Sequence, residues 1–587
     1  MIRVVLLLFV INPVSFSAFA ENISNNHPSP YVRMHANDAV KWQVWDKSVL
    51  ETAKKENKLI FISSGYYACH WCHVMRKESF MDEDVAKLIN KYFIPVKIDR
   101  ELSPVLDAYL MGFINNVLGY GGWPLNVFVT PQGYPLTGLV YLPKDNFVEA
   151  VENLNEKWAK QNTELKQLAF NTFKYTEINN SELIKISEED LFAKFIITVS
   201  QMKDDLEGGF GEKARFPMPH LMKSLLDVYE FTKDEELGEF IKLSLHQMVD
   251  QGLHDAIGGG FFRYTVDQGW QTPHFEKMLY TNAAMIRLYL QAYRLLGNKK
   301  WLQVAEETLE FVIRDMKLPE GGYVSSISAQ DMSGVEGGNY LWSKETVNRL
   351  LNEKQKKWFK RNVKLIDIQS ADGVLPAGFI QGAYAQEIKK KLRNEREKKP
   401  LVKDEKIVIS WNAFLLSSMI DVAGVSKNEK FSDEAQQLYI HIIKQVKRGL
   451  VRNTESNSQR YFEDYVFVLN ALWEWSEKTG SGADKKEIKK LLDEVHLLFK
   501  NPEGWKHTDK EILPMPKSIE GYKDGNLPAV NVVMMKLAKA LNTGSVEVGF
   551  SGVKSGTPKR IISNPLEYSG FIVSEYQNKK VNEAQIK

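Results

Sequence analysis

The chain of 587 residues holds two cysteines, and they stand in one tetrapeptide, Cys69-His70-Trp71-Cys72, followed at once by His73. A pair at this spacing suits a dithiol/disulfide couple, half of a zinc site or, with the histidine behind it, a haem attachment point. Two cysteines cannot staple a chain of this length into a disulfide scaffold, so the pair points to chemistry rather than architecture. What flanks it decides among the three.

The first twenty residues read as a Sec-type signal peptide. Arg3 supplies the positive n-region, Val4 to Ile11 the apolar stretch, and Ala18-Phe19-Ala20 a small-x-small cleavage site before Glu21. That run is too short and wrongly flanked for a spanning helix, and no later stretch is apolar for long enough. The expected product is an exported protein, periplasmic or extracellular, with no stable membrane insertion after cleavage. Basic and acidic side chains nearly cancel, at a formal net charge of +2, which leaves no electrostatic footprint for nucleic acid.

Residues 21–180 form the first expected domain. A helix from Asp46 to Glu56 precedes a buried strand from Lys58 to Ser63, and the cysteines follow at the start of another helix. A strand from Phe93 to Asp99, a helix opened by Pro104, the loop ending in Trp123-Pro124 and a hairpin (Leu125–Val129, Tyr134–Tyr141) complete the order. This order resembles the thioredoxin fold element for element, and it favours a redox pair over haem or zinc. In that fold the proline before the hairpin is cis and faces the cysteines, which is the expectation for Pro124. Cys69, at a helix N-terminus, is the expected nucleophile, because unpaired N–H groups and the helix dipole favour a thiolate. Cys72 would resolve the mixed disulfide. His70 and His73 are expected to add positive charge near the sulfur, with Trp71 completing the motif. Ser63 stands where thioredoxins carry a buried acid, so the pair need not behave as a general reductant. No cofactor and no metal are expected.

Beyond Asn179-Asn180-Ser181-Glu182, long amphipathic patterns dominate, and residues 181–545 form the second expected domain. Gly208-Gly209-Phe210, Gly259-Gly260-Phe261, Gly321-Gly322-Tyr323 and Gly337-Gly338-Asn339-Tyr340 recur between helix pairs. A period of about fifty residues, each unit a helical hairpin, predicts an all-α (α/α)6 barrel. Polar residues beside these turns are candidates for a pocket: His254, His274, Glu276, Lys277, Tyr280, Asp331, Trp411, Asn412, Asp464, Tyr465 and Asp524. Carboxylates with tryptophans suit a carbohydrate ligand or glycoside chemistry, and a facing His and Glu suit epimerisation by proton transfer. A hydrogen-bond network that only holds the loops is the competing reading.

Tyr66-Tyr67-Ala68-Cys69-His70-Trp71-Cys72-His73-Val74-Met75, Val96-Lys97-Ile98-Asp99-Arg100-Glu101, Gly121-Gly122-Trp123-Pro124-Leu125-Asn126-Val127, Gly208-Gly209-Phe210-Gly211, Arg215-Phe216-Pro217, Pro273-His274-Phe275-Glu276-Lys277-Met278-Leu279-Tyr280 and Trp411-Asn412 together resemble the spermatogenesis-associated protein 20 family. The resemblance implies a thioredoxin-like domain fused to a six-hairpin glycosidase-like barrel, similar in fold to sugar 2-epimerases. It implies architecture more than activity. The chain departs from the family pattern at Gln330, where a glutamate is usual, at Glu463, where an aspartate is usual, and at Asn526-Leu527. Residues 546–587 match no usual family tail and read as a C-terminal extension. The expected function is thiol–disulfide exchange with protein thiols or disulfides, the barrel binding a glycan or protein partner. A carbohydrate-active enzyme or a non-catalytic scaffold are the alternatives.

Overall fold

A computed structural model describes residues 23, 25–368, 373–449, 451, 459–480, 485–501, 504–516, 520–541 and 557–586. The expected signal peptide lies outside them. The N-terminal domain is built on a four-stranded sheet of order β2-β1-β3-β4. Strand β1 (Leu59–Gly65) pairs parallel with β2 (Phe93–Asp99) and antiparallel with β3 (Leu125–Val129), which pairs with β4 (Pro135–Leu139). The first two strands are buried along their whole length, which is why they read as near-continuous apolar runs rather than alternating ones. Ile60 and Ile62 join Val96, Leu110 and Val127 on one face; Leu59 and Phe61 join Phe80, Phe128 and Phe147 on the other. Phe61 stacks on Phe128 at 4.9 Å.

Helices α1 (Pro30–Met34), α2 (Lys47–Glu56), α3 (His70–Met75), α4 (Glu83–Tyr92), α5 (Pro104–Leu118) and α6 (Lys144–Ser181) surround the sheet. Asp46 and Asp82 cap α2 and α4 by accepting from backbone N–H groups of the first turn, as short polar side chains do at helix starts. Helix α6 runs to Ser181, through most of the Asn179-Asn180-Ser181-Glu182 segment where the sequence divides the two domains, with its one break at Gln161.

The helical domain is a closed ring. It comprises α7 (Glu188–Met202), α8 (Pro219–Thr232), α9 (Glu235–Asp250), α10 (Leu279–Leu296), α11 (Lys299–Phe311), α12 (Lys344–Leu350), α13 (Glu353–Asn362), α14 (Ala385–Arg396), α15 (Ile409–Ala423), α16 (Glu429–Lys447), α17 (Phe462–Thr479), α18 (Lys485–Phe499), α19 (Val530–Ala540), α20 (Lys559–Ser563) and α21 (Ser569–Ile586). Six of these pack in succession, α8 on α10, α15, α17, α19 and α21, and α21 returns to α8. Outside them α7, α9, α11, α16 and α18 cover α21, α8, α10, α15 and α17 respectively. This is the (α/α)6 barrel. Nearly every residue of the inner helix α15 is buried, the mark of a helix covered on all sides.

Two details differ from expectation. The residues read as a C-terminal extension supply the sixth inner helix, α21, and Thr557-Pro558 pair with Leu183-Ile184 at the start of the barrel. Helix α12 also stands outside the ring expected for residues 181–545, in a small side lobe with α13, α14 and the hairpin of Lys364–Asp367 with Val374–Ala377. Among the described residues no helix is long and apolar enough to cross a membrane.

Candidate functional site

Strand β1 ends at Gly65, where a Cβ would collide with the Tyr31 hydroxyl and with Cys72 Sγ at 2.8 Å. Only glycine lets the chain pass this closely to the cysteines. Cys69 then caps α3, its Sγ accepting from Cys72 N at 3.1 Å. The two sulfurs are joined as a disulfide, with Cα atoms 5.3 Å apart. The Trp123–Pro124 peptide bond is cis, as expected. Trp123 donates from its indole to Asp107 Oδ1 at 3.0 Å and meets Tyr66 edge-on at 5.8 Å.

The barrel lies directly over this motif. Tyr66 donates to Glu276 Oε2 at 2.7 Å, and Arg263 reaches both the Tyr66 hydroxyl and that carboxylate. His70 Nδ1 stands 3.1 Å from Gln330 Nε2, an amide nitrogen that only donates. Nδ1 is therefore the acceptor, and the ring proton sits on Nε2, 3.5 Å from Glu336 Oε2. Glu336 Oε1 is also 2.7 Å from His274 Nδ1, and the two imidazoles lie 5.9 Å apart. Thus His70, Gln330, Glu336 and His274 form one polar cluster across the domain junction.

Charges in this cluster differ from the expectation for the motif. Burial lowers the pKa of His70, with Glu336 opposing and His274 assisting. Burial likewise lowers His73, whose Nε2 lies 2.8 Å from the Tyr67 carbonyl. Neither imidazole is thus a standing cation beside the sulfur at neutral pH, because both have lost their water. His274 behaves oppositely: burial works against its charge, but Glu336 and Glu276 outweigh it and raise its pKa. Cys69 is only 3% exposed and Cys72 1%, whereas Trp71 is 41% exposed and leans on Tyr141 at 4.7 Å. Cys69, the expected nucleophile, is the more exposed of the two but is itself buried.

Of the barrel candidates, His274 and Glu276 join this cluster, and Tyr280 accepts from Arg100 at 3.2 Å. Trp411 packs edge-on against Tyr280 at 4.7 Å and lines, with Asp464, a separate cavity between the domains. The others hold structure. His254 is fully buried against Phe261, and burial pushes it down to about 3. Lys277 donates to Asp255 Oδ2 at 2.7 Å and to the Gly259 carbonyl at 2.8 Å. Asp331 accepts from Ser333 N and Val335 N within its own loop. Asn412 clasps Tyr323 N and O, Tyr465 packs on Phe499, and Asp524 holds the first turn of α21 through Ser569 and Gly570. Lys277 and Asn412 are held by the loops because buried backbone groups there need partners. Glu336 escaped the sequence reading, although its position before Gly337-Gly338 was the available signal. Among the described residues no group of three or more His, Cys, Asp or Glu side chains converges on a point where a metal ion could sit.

Residues 21–176 match the family described as Thioredox_DsbH, protein of unknown function, DUF255. Spermatogenesis-associated protein 20 of Mus musculus is 28% identical over 582 residues, covering 86% of this chain and 74% of that protein. The chain is a homologue of spermatogenesis-associated protein 20. The human counterpart of that relative is 28% identical over 594 residues, at the same coverage. An uncharacterized protein of Caenorhabditis elegans is 27% identical over 574 residues, covering 86% of the homologue described here and 78% of its own length. Among solved structures, a sugar epimerase from a ruminal bacterium is 12% identical with a TM-score of 0.29, covering 62% of this chain and 100% of that one. A beta-1,3-1,4-glucanase from Paenibacillus sp. X4 is 8% identical with a TM-score of 0.37, covering 68% and 96%. The closed ring of helices, not these weak likenesses, defines the barrel. The homologue thus joins a thioredoxin-like domain, its CxxC pair at disulfide distance, to an (α/α)6 barrel.

Proposed function

We propose that this protein is an exported thiol–disulfide oxidoreductase acting on protein thiols or disulfides, with the barrel selecting the partner. The observation that carries the reading is the Cys69–Cys72 pair at the start of α3, in a domain whose Trp123–Pro124 bond is cis. In the reducing direction, the Cys69 thiolate attacks one sulfur of a partner disulfide, forming a mixed disulfide and expelling the partner's other sulfur as a thiolate. The Cys72 thiolate then attacks Cys69 Sγ, releasing the second partner thiolate and leaving Cys69–Cys72 oxidised. Two electrons pass to the partner, which takes up two protons from solvent; oxidation of a partner dithiol is the same exchange reversed. The backbone N–H groups at the head of α3 favour the attacking thiolate, while the neutral state of His70 and His73 removes a contribution that a charged ring would make.

The barrel loops that bear Gln330, Glu336 and Glu276 contact His70 and Tyr66 on either side of the buried Cys69, which supports a partner that must displace or engage those loops to reach the sulfur. An epimerase or hydrolase centred on His274 and Glu276 has less support, since Glu276 is tied to Tyr66 and Arg263 and His274 to Glu336. A Cys72→Ala variant expressed with its leader is expected to accumulate mixed disulfides through Cys69 in the exported compartment. Non-reducing gels with mass spectrometry check this. Absence of adducts from Cys72→Ala, with Cys69→Ala as the blank, would remove the reading.

A further inference from the structure

His70 opens α3 next to Cys69, yet the polar groups that meet its ring come from the barrel. Gln330 Nε2 lies 3.1 Å from its Nδ1, Glu336 Oε2 lies 3.5 Å from its Nε2, and the His274 ring stands 5.9 Å away. An imidazole set between a donor and an acceptor has one form that satisfies both. The Gln330 amide nitrogen donates and needs a bare Nδ1, while the Glu336 carboxylate accepts and needs the proton on Nε2. That form is neutral. An imidazolium would set its Nδ1–H against the N–H of the amide.

Glu336 alone would favour the imidazolium, since an opposite charge stabilises the charged form. Its other oxygen, however, lies 2.7 Å from His274 Nδ1, a closer approach than the one to His70. The carboxylate is therefore engaged first by His274, and a second charged ring beside His274 would meet like charge. Of the other charged groups that face His70, Glu276 favours its protonation and Lys77 opposes it, and burial acts in the same sense as Lys77. The Gln330 amide decides the balance, because it occupies the nitrogen that a second proton would have to take. The consequence reaches the sulfur. A charged ring beside Cys69 would stabilise its thiolate and with it the reduced pair, making the disulfide the stronger oxidant.

We infer that Gln330, a residue of the barrel, is a positioning residue for the redox pair: by donating to Nδ1 it holds His70 neutral, and so keeps the Cys69–Cys72 disulfide a weaker oxidant than a charged His70 would make it. The inference rests on the dithiol reading and deepens it. The barrel then acts on the chemistry of the pair as well as on the choice of partner.

Equilibration of the purified full chain with glutathione at pH 7 tests it by reading the reduction potential of the pair. Gln330→Glu replaces the donor by an acceptor of nearly the same size and leaves the ring between two carboxylates. It is expected to shift the equilibrium toward the reduced pair at least about threefold, which is about 14 mV for a two-electron couple. The midpoint of the pH dependence of Cys69 alkylation is expected to fall by about one unit in the same variant. Gln330→Ala removes the donor without adding charge and is expected to move both readouts in the same direction by less, so the test does not depend on the folding of one variant. His70→Phe keeps a ring against Trp71 and His274 but removes both nitrogens. In that background Gln330→Glu adds only negative charge near the sulfur, and the equilibrium is expected to stay where it was or to move toward the disulfide. Potentials unchanged or lowered in both Gln330 variants, or an equal rise with His70→Phe in place, would overturn the proposal. The equilibrium is read on purified protein without a partner, so its failure and failure of the trapping experiment are separable.

Discussion

Lys97 shows how one missing acid changes the domain's electrostatics. It projects from β2, is 2% exposed, and donates to Ser63 Oγ at 3.0 Å. The rings of Trp42 and Phe80 each lie 4.3 Å from its nitrogen. Burial pulls its pKa down to about 7, with Asp38 opposing and Arg76 assisting. The unfolded chain keeps this lysine protonated to a much higher pH, so between pH 7 and about 10 it binds more protons than the fold does. The cost of burying the ammonium, on the order of 3–5 kcal/mol, is therefore fully present below pH 7 and falls away as pH rises toward 10. Lys97→Met is expected to be at least as stable as the parent at pH 7 and to lose this part of the rise. Urea unfolding of both proteins at pH 7 and pH 9.5 reads the difference, and identical slopes would contradict the account. The sequence showed the serine where an acid is usual. It did not show that Lys97 would be sealed beneath Trp42, because that depends on where the residues before β1 pack.

At the scale of elements, the glycine pairs were legible and their purpose was not. Gly259 and Gly260 adopt φ of 79° and 75°, and Gly321 and Gly322 adopt 100° and 77°, conformations that side chains disfavour. The aromatic behind each pair is fastened by an asparagine of the next inner helix, Phe261 by Asn282 and Tyr323 by Asn412. Periodicity marks the turns, but a clasp between an asparagine and a backbone 21 or 89 residues away leaves no periodic trace. The loop just before the fourth pair, Gly337-Gly338, is the one that matters for the cysteines. Gln330 and Glu336 bridge across it, and the Asp331 carboxylate holds it closed by accepting from Ser333 N at 2.8 Å and Val335 N at 3.0 Å. Removing such a clasp costs about 1–2 kcal/mol, a factor of about 5–30 in the population of the open loop. Since this loop lies over His70, Asp331→Ala is expected to speed iodoacetamide labelling of reduced Cys69 by that factor while Cys72 stays slow. Labelling at the parent rate would mean that something other than this loop covers the sulfur.

The molecule as a whole is held together by charge that neither domain could bury alone. Its two-part architecture was legible from the element order and the recurring turns, but the bond between the parts was not, because its members are some 300 residues apart. Lys406 Nζ lies 3.0 Å from Asp99 Oδ2 and 3.1 Å from Glu101 Oε2, and it pairs with Asp404 as well. All four are at most 5% exposed. Tyr461 adds a hydrogen bond to the Leu102 carbonyl at 2.8 Å. One ammonium thus serves three carboxyls at the end of β2. Burial pushes Glu101 up to about 7, Lys406 pulling it back and Asp99 pushing it further, and Asp404 is raised for the same reason. A raised carboxyl pKa means that the fold pays nothing at low pH and loses stability as pH climbs through the unfolded value toward 7. Lys406→Met removes the compensating charge and so raises these carboxyls further, which enlarges the penalty at high pH. The expected loss is about 3–5 kcal/mol at pH 8, shrinking at pH 5 as the carboxyls take up protons. Urea unfolding at the two pH values measures it. Limited proteolysis at pH 8 should then cut first near Ser181, at the end of α6, where the chain passes from one domain to the other. A deficit of the same size at both pH values would mean that Lys406 acts through packing, and that the carboxyls at this junction never carry the charge assigned to them.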